Sequence, residues 1–229
     1  MNESGMYNQM EELFRYWKSK QEAESEESLK KTLPKPPKGK SLENGFQGSF
    51  CWDGVTSLSG GVHTDDSKVE VLFILREANT EGKPELRDTL DTFWFNNADK
   101  RKDTPYEKAI MRALAVIYGE KEEQLRDKHF GYMNLNKRGG FGETNLTQLK
   151  HYVKRYKNLI REQIELFQPT YVVCFGVYGT VKDMLPDCVK VTLDCYHPAN
   201  RSTEDFHIKQ IFGNSKMCSS ILNRWEKLS

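Results

Sequence analysis

The sequence predicts an α/β fold: three layers, α/β/α, around a central four-stranded parallel sheet. Near-continuous apolar runs occur at VEVLFILR (69–76), FGYMNL (130–135), YVVCFG (171–176) and VKVTLDC (189–195). Runs of this length and composition suit strands that are covered on both faces. Helix-patterned segments separate them, and a strand–helix–strand alternation closes into a parallel sheet with helices on either side. The chain has 229 residues, 37% of them hydrophobic, which suffices for a core without disulfide or metal staples.

In chain order, residues 1–31 read as helix, because Met6, Tyr7, Met10, Leu13, Phe14 and Trp17 recur at three- to four-residue spacing. TLPKPPKGK (32–40) cannot continue a helix and suits a semi-rigid linker. Residues 1–40 are therefore expected to be a helical extension packing on the body or on a partner, with 41–229 as the α/β domain. After the first strand, TPYEKAIMRALAVIYG carries Thr104 as N-cap, Pro105 in the first turn, Glu107 to complete a capping box and Gly119 as the stop. The second strand is expected to end in a polar loop, NKRGGFGETN. A single helix, about 146–167, follows, with Leu146, Leu149, Val153, Tyr156, Ile160, Ile164 and Phe167 on one stripe until Pro169. A short helix precedes the fourth strand, and the last 25 or so residues are expected to be helical with a break at Gly213.

The formal net charge is +1, from 34 basic and 33 acidic residues. That excludes a purely electrostatic nucleic-acid binder but not a local basic face. The five cysteines, at 51, 174, 188, 195 and 218, contain no C-x-x-C pair, which argues against a disulfide framework and a zinc or iron–sulfur site. No metal or cofactor is expected. No apolar run approaches ~18 residues and the first residues lack a signal-peptide layout, so no membrane association and a cytoplasmic location are expected.

In an open parallel sheet, ligands bind beyond the carboxyl ends of the strands. The four expected strands end in Arg76-Glu77-Ala78-Asn79, Asn134-Leu135-Asn136-Lys137, Gly176 and Tyr196-His197-Pro198. Together these place a carboxylate, carboxamides, a lysine and a histidine around one crevice, a set suited to reading a planar polar ligand and to acid–base work.

The order of these motifs resembles the uracil-DNA glycosylase superfamily, especially its bacterial and archaeal iron–sulfur branch. There the first strand ends in Gly-Glu-x-Pro-Gly, the second in Asn-x-x-Lys, the third in Gly, and the fourth in a Tyr-His-Pro turn. The matching stretches are Arg76-Glu77-Ala78-Asn79-Thr80, Asn134 to Lys137, Gln168-Pro169 through Gly176, and Cys195-Tyr196-His197-Pro198, spanning roughly residues 69–201. The first turn departs from the pattern at Arg76 and Asn79-Thr80, and the cluster cysteines are absent, so a divergent member without the cluster is expected.

The resemblance implies hydrolysis of the N-glycosidic bond of uracil or a related damaged base extruded from DNA. It implies that Glu77 positions water and stabilises the cationic sugar, and that His197 donates to the base as negative charge develops. Asn79 is expected to help hold water. Asn134 is expected to face the base's Watson–Crick edge, with Trp94 or Phe95 stacking on it. Lys137, Arg138, Arg201, Lys150 and Lys154 are the expected DNA contacts, the last two on a basic stripe with Lys157 and Arg161. The partner is then DNA, met by a monomer, with a protein partner through residues 1–40 as a further option. Two other functions fit the same residues: a catalytically silent nucleobase- or DNA-binding protein, and a glycosidic hydrolase of another base or of a free nucleoside.

Overall fold

The computed structural model describes residues 5–61, 69–83, 104–198 and 207–228; Trp94, Phe95 and Arg201 lie outside them. Six strands form one mixed sheet: β1 (Gly54–Thr56), β2 (Val71–Asn79), β3 (Phe130–Gly140), β4 (Tyr171–Phe175), β5 (Val191–Cys195) and β6 (Ile208–Gly213), in the spatial order β1-β3-β2-β4-β5-β6. The helices are α1 (Met6–Glu22), α2 (Glu26–Thr32), α3 (Pro105–Tyr118), α4 (Glu122–Leu125), α5 (Leu146–Arg155), α6 (Lys157–Phe167), α7 (Tyr178–Val181) and α8 (Ser215–Leu228).

The α/β class is as expected, but among the described residues the sheet has six strands rather than four. The four apolar runs pair in parallel, β3 with β2, β2 with β4 and β4 with β5, while β1 and β6 add antiparallel edges. The run IKQIF (208–212) was expected to be helical. It pairs as β6 with β5 as far as Gly213, whose φ of 125° and tight approach to the Lys190 carbonyl leave no room for a Cβ. Pairing along β5 outweighed a helical pattern that was weak to begin with.

Alternation along the strands divides the core. Leu72, Ile74, Met133, Leu135, Val172 and Cys174 join Phe14, Trp17, Tyr152, Ile160 and Ile164 of α1, α5 and α6. Val71, Phe73, Leu75, Tyr132, Val173 and Leu193 join Ile110, Leu114 and Ile117 of α3 and Ile221 of α8. Cys174 is a buried free thiol.

Helix α1 packs on the body, one of the two arrangements expected for the extension. Phe14 and Trp17 are fully buried and pack on Phe50, Trp52, Tyr152 and Tyr156. The expected single N-terminal helix divides where Ser25 caps α2, its hydroxyl accepting from Ser28 N. The expected helix 146–167 is likewise two, α5 and α6, meeting at Tyr156, whose ring is buried in that aromatic cluster at φ −102°, ψ 20°. Helix α3 follows three of its sequence signals: Thr104 accepts from Glu107 N at 3.2 Å, Pro105 opens the first turn and Gly119 closes it in the left-handed region. The Glu107 carboxylate accepts from Arg126 at 3.1 Å. Among the described residues no helix is long and apolar enough to cross a membrane, and no group of three potential metal ligands occurs.

Candidate functional site at the carboxyl ends of the strands

The chain passes from β2 to β3 on one side and from β4 to β5 on the other, so the strand order switches direction between the neighbours β2 and β4. A crevice opens at such a point beyond the carboxyl ends. Here it is a cavity of about 360 Å³ lined by Glu77, Asn79, Tyr106, Tyr132, Thr144 and His197, with Phe141 closing it. That volume falls within the usual range for small-ligand sites, about 300–1,000 Å³.

Glu77 lies near the end of β2, opposite Asn136 of β3. Its Oε2 accepts from Asn136 Nδ2 at 2.9 Å, while Oε1 is buried without a hydrogen bond of normal geometry. A Cβ on Gly140 would stand 2.5 Å from Oε1, so glycine at that position is what admits the carboxyl group. Burial lifts the Glu77 pKa to about 7, outweighing Asn136, Thr144 and Arg76, which favour the charged form in that order.

His197 follows β5. Its Nε2 lies 3.0 Å from the Tyr106 hydroxyl, with the two rings edge to face. Burial, helped by the nearby Arg76 charge, lowers its pKa to about 4, so the imidazole is neutral near pH 7. The Tyr106 phenol is raised to about 12 by burial and stays protonated. In the tautomer with its proton on Nδ1, His197 accepts from Tyr106 at Nε2.

Arg76 completes the group. It is half-buried, and its guanidinium sits against Gly176 at the end of β4, where a Cβ would approach Nη2 to 2.8 Å. Gly176 adopts φ +68°, so both its conformation and the packing of Arg76 require glycine.

Of the residues expected at the site, Glu77, Asn79 and His197 do share this cavity. Asn79 is exposed at its rim, its Nδ2 donating to Glu81 Oε1 at 3.2 Å and its Oδ1 accepting from Glu81 N at 3.3 Å. The described structure does not bring the other β3 candidates to the cavity. Asn134 is 3% exposed, with its amide N and Nδ2 both on Asp53, at 2.9 and 3.3 Å. Asp53 engages that carboxamide where a base edge was expected.

Lys137 and Arg138 are corrected as well: both are fully buried in β3 rather than carried on a loop. Between the pairs Glu77–Asn136 and Asn79–Gly140, two steps of β2 face four of β3. The additional residues form a bulge with Gly139 at φ +78°. Lys137 pairs with Asp53 and donates to the Asn134 carbonyl at 2.8 Å, and Arg138 pairs with Glu24. Lys150 and Lys154 are exposed on α5.

Sequence reasoning missed Tyr106, Thr144, Tyr132 and the glutamate-holding role of Asn136. The signal for Asn136 was its two-residue spacing from Asn134, which puts both on one face of the strand. Tyr106 stood in the first turn of a well-capped helix that leads out of this end of the sheet. No family model matches the chain, and neither a curated protein nor a solved structure matches it.

Proposed function

We propose that the protein is a DNA glycosylase on a uracil-DNA glycosylase-like fold, hydrolysing the N-glycosidic bond of uracil or a related damaged base. The observation that carries this reading is that Glu77 and neutral His197, from the ends of β2 and β5, line one nucleobase-sized cavity at the switch point of the sheet. A general base works best with a pKa near the operating pH, and Glu77 at about 7 meets that condition.

In the proposed reaction the extruded base enters the cavity and the bond from its nitrogen to the sugar C1′ lengthens. The sugar becomes oxocarbenium-like and the electron pair leaves with the base. Ionised Glu77 stabilises that sugar and takes a proton from the water that bonds to C1′. His197 donates a hydrogen bond to the oxygen of the departing base, with Arg76 adding positive charge nearby. The anionic base then takes up a proton from solvent. Asn79, on the rim, helps hold the incoming water.

The test is base release from oligonucleotides carrying uracil opposite A, opposite G and in single strands, with hypoxanthine and xanthine in parallel. His197→Ala is expected to lower kcat by ~10²–10³, and Glu77→Gln by ~10² or more. Cleavage indifferent to both changes removes these residues from the site. No cleavage of any substrate by folded protein that still binds DNA overturns the enzyme and leaves a silent binder.

A further inference from the structure

The Pro- and Lys-rich segment 32–43 is fastened along the rim of this cavity. At one end Lys35 N donates to Gln148 Oε1 of α5 at 3.0 Å. At the other, Glu43 N donates to the Gly82 carbonyl at 3.0 Å, and Lys40 pairs with Glu81, the same glutamate that holds Asn79. Gly82 has φ +77°, and a Cβ there would strike both the Ser41 carbonyl, at 2.9 Å, and the Phe141 ring, at 2.7 Å. The segment thus runs from α5 to the wall of the cavity, anchored at both ends.

Its upstream end opens into a groove of about 520 Å³ between α2 and α5, lined by Ser25, Glu27, Ser28, Lys31, His151, Lys154 and Arg155, among others. The acids there are already matched: Glu27 with Lys31 at 3.1 Å, and Glu24 with Arg138 and Arg155. Lys35, Lys38 and Lys154 are exposed and form no ion pair among the described residues. The groove meets the segment at Thr32, and the segment carries Lys35 and Lys38 on toward the cavity wall, where Lys40 is already paired with Glu81.

We infer that this path, Lys31, Lys35, Lys38 and Lys154 along α2, segment 32–43 and α5, carries the phosphate backbone of a DNA strand to the cavity, so that the substrate is a polymer rather than a free nucleoside. A proline-rich chain is already extended, so little ordering entropy is lost when the phosphates bind. The inference deepens the glycosylase proposal and rests on it for the direction of the strand.

The test measures binding rather than cleavage, with a labelled single-stranded oligonucleotide of unmodified bases titrated between 50 and 200 mM salt. A variant carrying Lys31→Ala, Lys35→Ala, Lys38→Ala and Lys154→Ala is compared with a charge-matched control carrying Lys121→Ala, Lys182→Ala, Lys216→Ala and Lys227→Ala. Thermal unfolding confirms that both remain folded. The path variant should bind at least tenfold more weakly, with a log–log salt slope shallower by about 3 (about 0.7 for each phosphate that is no longer neutralised), while the control stays close to the parent. Equal weakening in the two variants, an unchanged slope, or no binding by the parent overturns the path. Path-dependent binding without base release leaves the path standing and overturns only the glycosylase.

Discussion

Two polar clusters flank β3, built from the same residue types and opposite in design. The Asp53 cluster has a carboxylate, a lysine and two carboxamides, Asn134 and Gln163, all buried beneath Phe14 and Trp17. The Glu77 cluster has a carboxylate, an arginine and the Asn136 carboxamide, but it faces a cavity and adds a histidine and a tyrosine. In the first, the cation is in direct contact with the carboxylate; in the second, Arg76 is packed on Gly176 and acts on Glu77 from further off. Burial raises both carboxylates, so what separates the clusters is the cation in contact with Asp53 in a closed interior and the open space beside Glu77.

The sharpest way to break that contrast is to remove the cation from the closed cluster. Lys137→Met leaves Asp53 buried without its ion-pair partner and should destabilise the fold by about 3–5 kcal/mol. Adding Asp53→Asn should recover much of the loss, because no unpaired charge then remains buried. Glu77→Gln should cost little or even stabilise. Urea denaturation of the three variants beside the parent measures the contrast. A Lys137→Met cost below about 1 kcal/mol, far under the usual penalty for breaking a buried pair, would mean that the two clusters are not different in kind.

The open cluster also predicts a compensated pH dependence. Glu77 binds its proton up to about pH 7 in the folded chain, against an ordinary value of 4.5. Between these values the native state holds a proton the unfolded state has released, so this group makes stability fall as pH rises. His197 is the reverse: its pKa drops from 6.5 to about 4, so stability falls as pH falls through that window. Each contributes a slope of about 1.4 kcal/mol per pH unit, of opposite sign, and from pH 4.5 to 6.5 the two nearly cancel. Relative to the parent, Glu77→Gln should therefore gain stability with rising pH across this window, by up to about 3 kcal/mol in all. His197→Asn should lose stability with rising pH. Parallel profiles for both variants would place neither group in a buried cluster.

What was legible in the sequence follows the same division. The runs at 69–76, 130–135, 171–176 and 189–195 announced strands buried on both faces, and Glu77, Asn79 and His197 stood at their carboxyl ends, where strand geometry alone directs attention. The edge strands were not legible, since β1 has only three residues and β6 owes its form to pairing with β5. Lys137 and Arg138 read as loop residues because nothing local distinguishes an exposed lysine from one whose partner lies 84 residues away. The glycines that make RGGFG resemble a loop serve a bulge inside β3 and the space beside Glu77.

Gly140 offers a finer test. In Gly140→Ala the new Cβ would meet Glu77 Oε1 at 2.5 Å and Cδ at 2.6 Å, and the mobile end of a side chain has to move. The fold should lose about 1 kcal/mol or less, while base release falls at least tenfold because a displacement of about 1 Å at a reacting group is costly. Equal effects on stability and on rate would make Gly140 a packing residue only.

The smallest change separates Glu77 acting as a base from Glu77 merely being present. Asn136 is the strongest hydrogen-bond influence favouring its ionised form. Removing a hydrogen bond to a charged group costs that form about 1.5–3 kcal/mol, or roughly one to two pKa units. In Asn136→Ala the midpoint of base release should therefore move from near pH 7 to about 8–9. The rate at pH 7 should fall by about five- to fiftyfold, and the plateau at high pH should be preserved. A structural defect lowers the whole profile without moving its midpoint, because fewer molecules are folded but each titrates as before. A rightward shift with the plateau kept is what a proton-accepting carboxylate requires, and a lowered plateau with the midpoint still near 7 would assign the titration to another group.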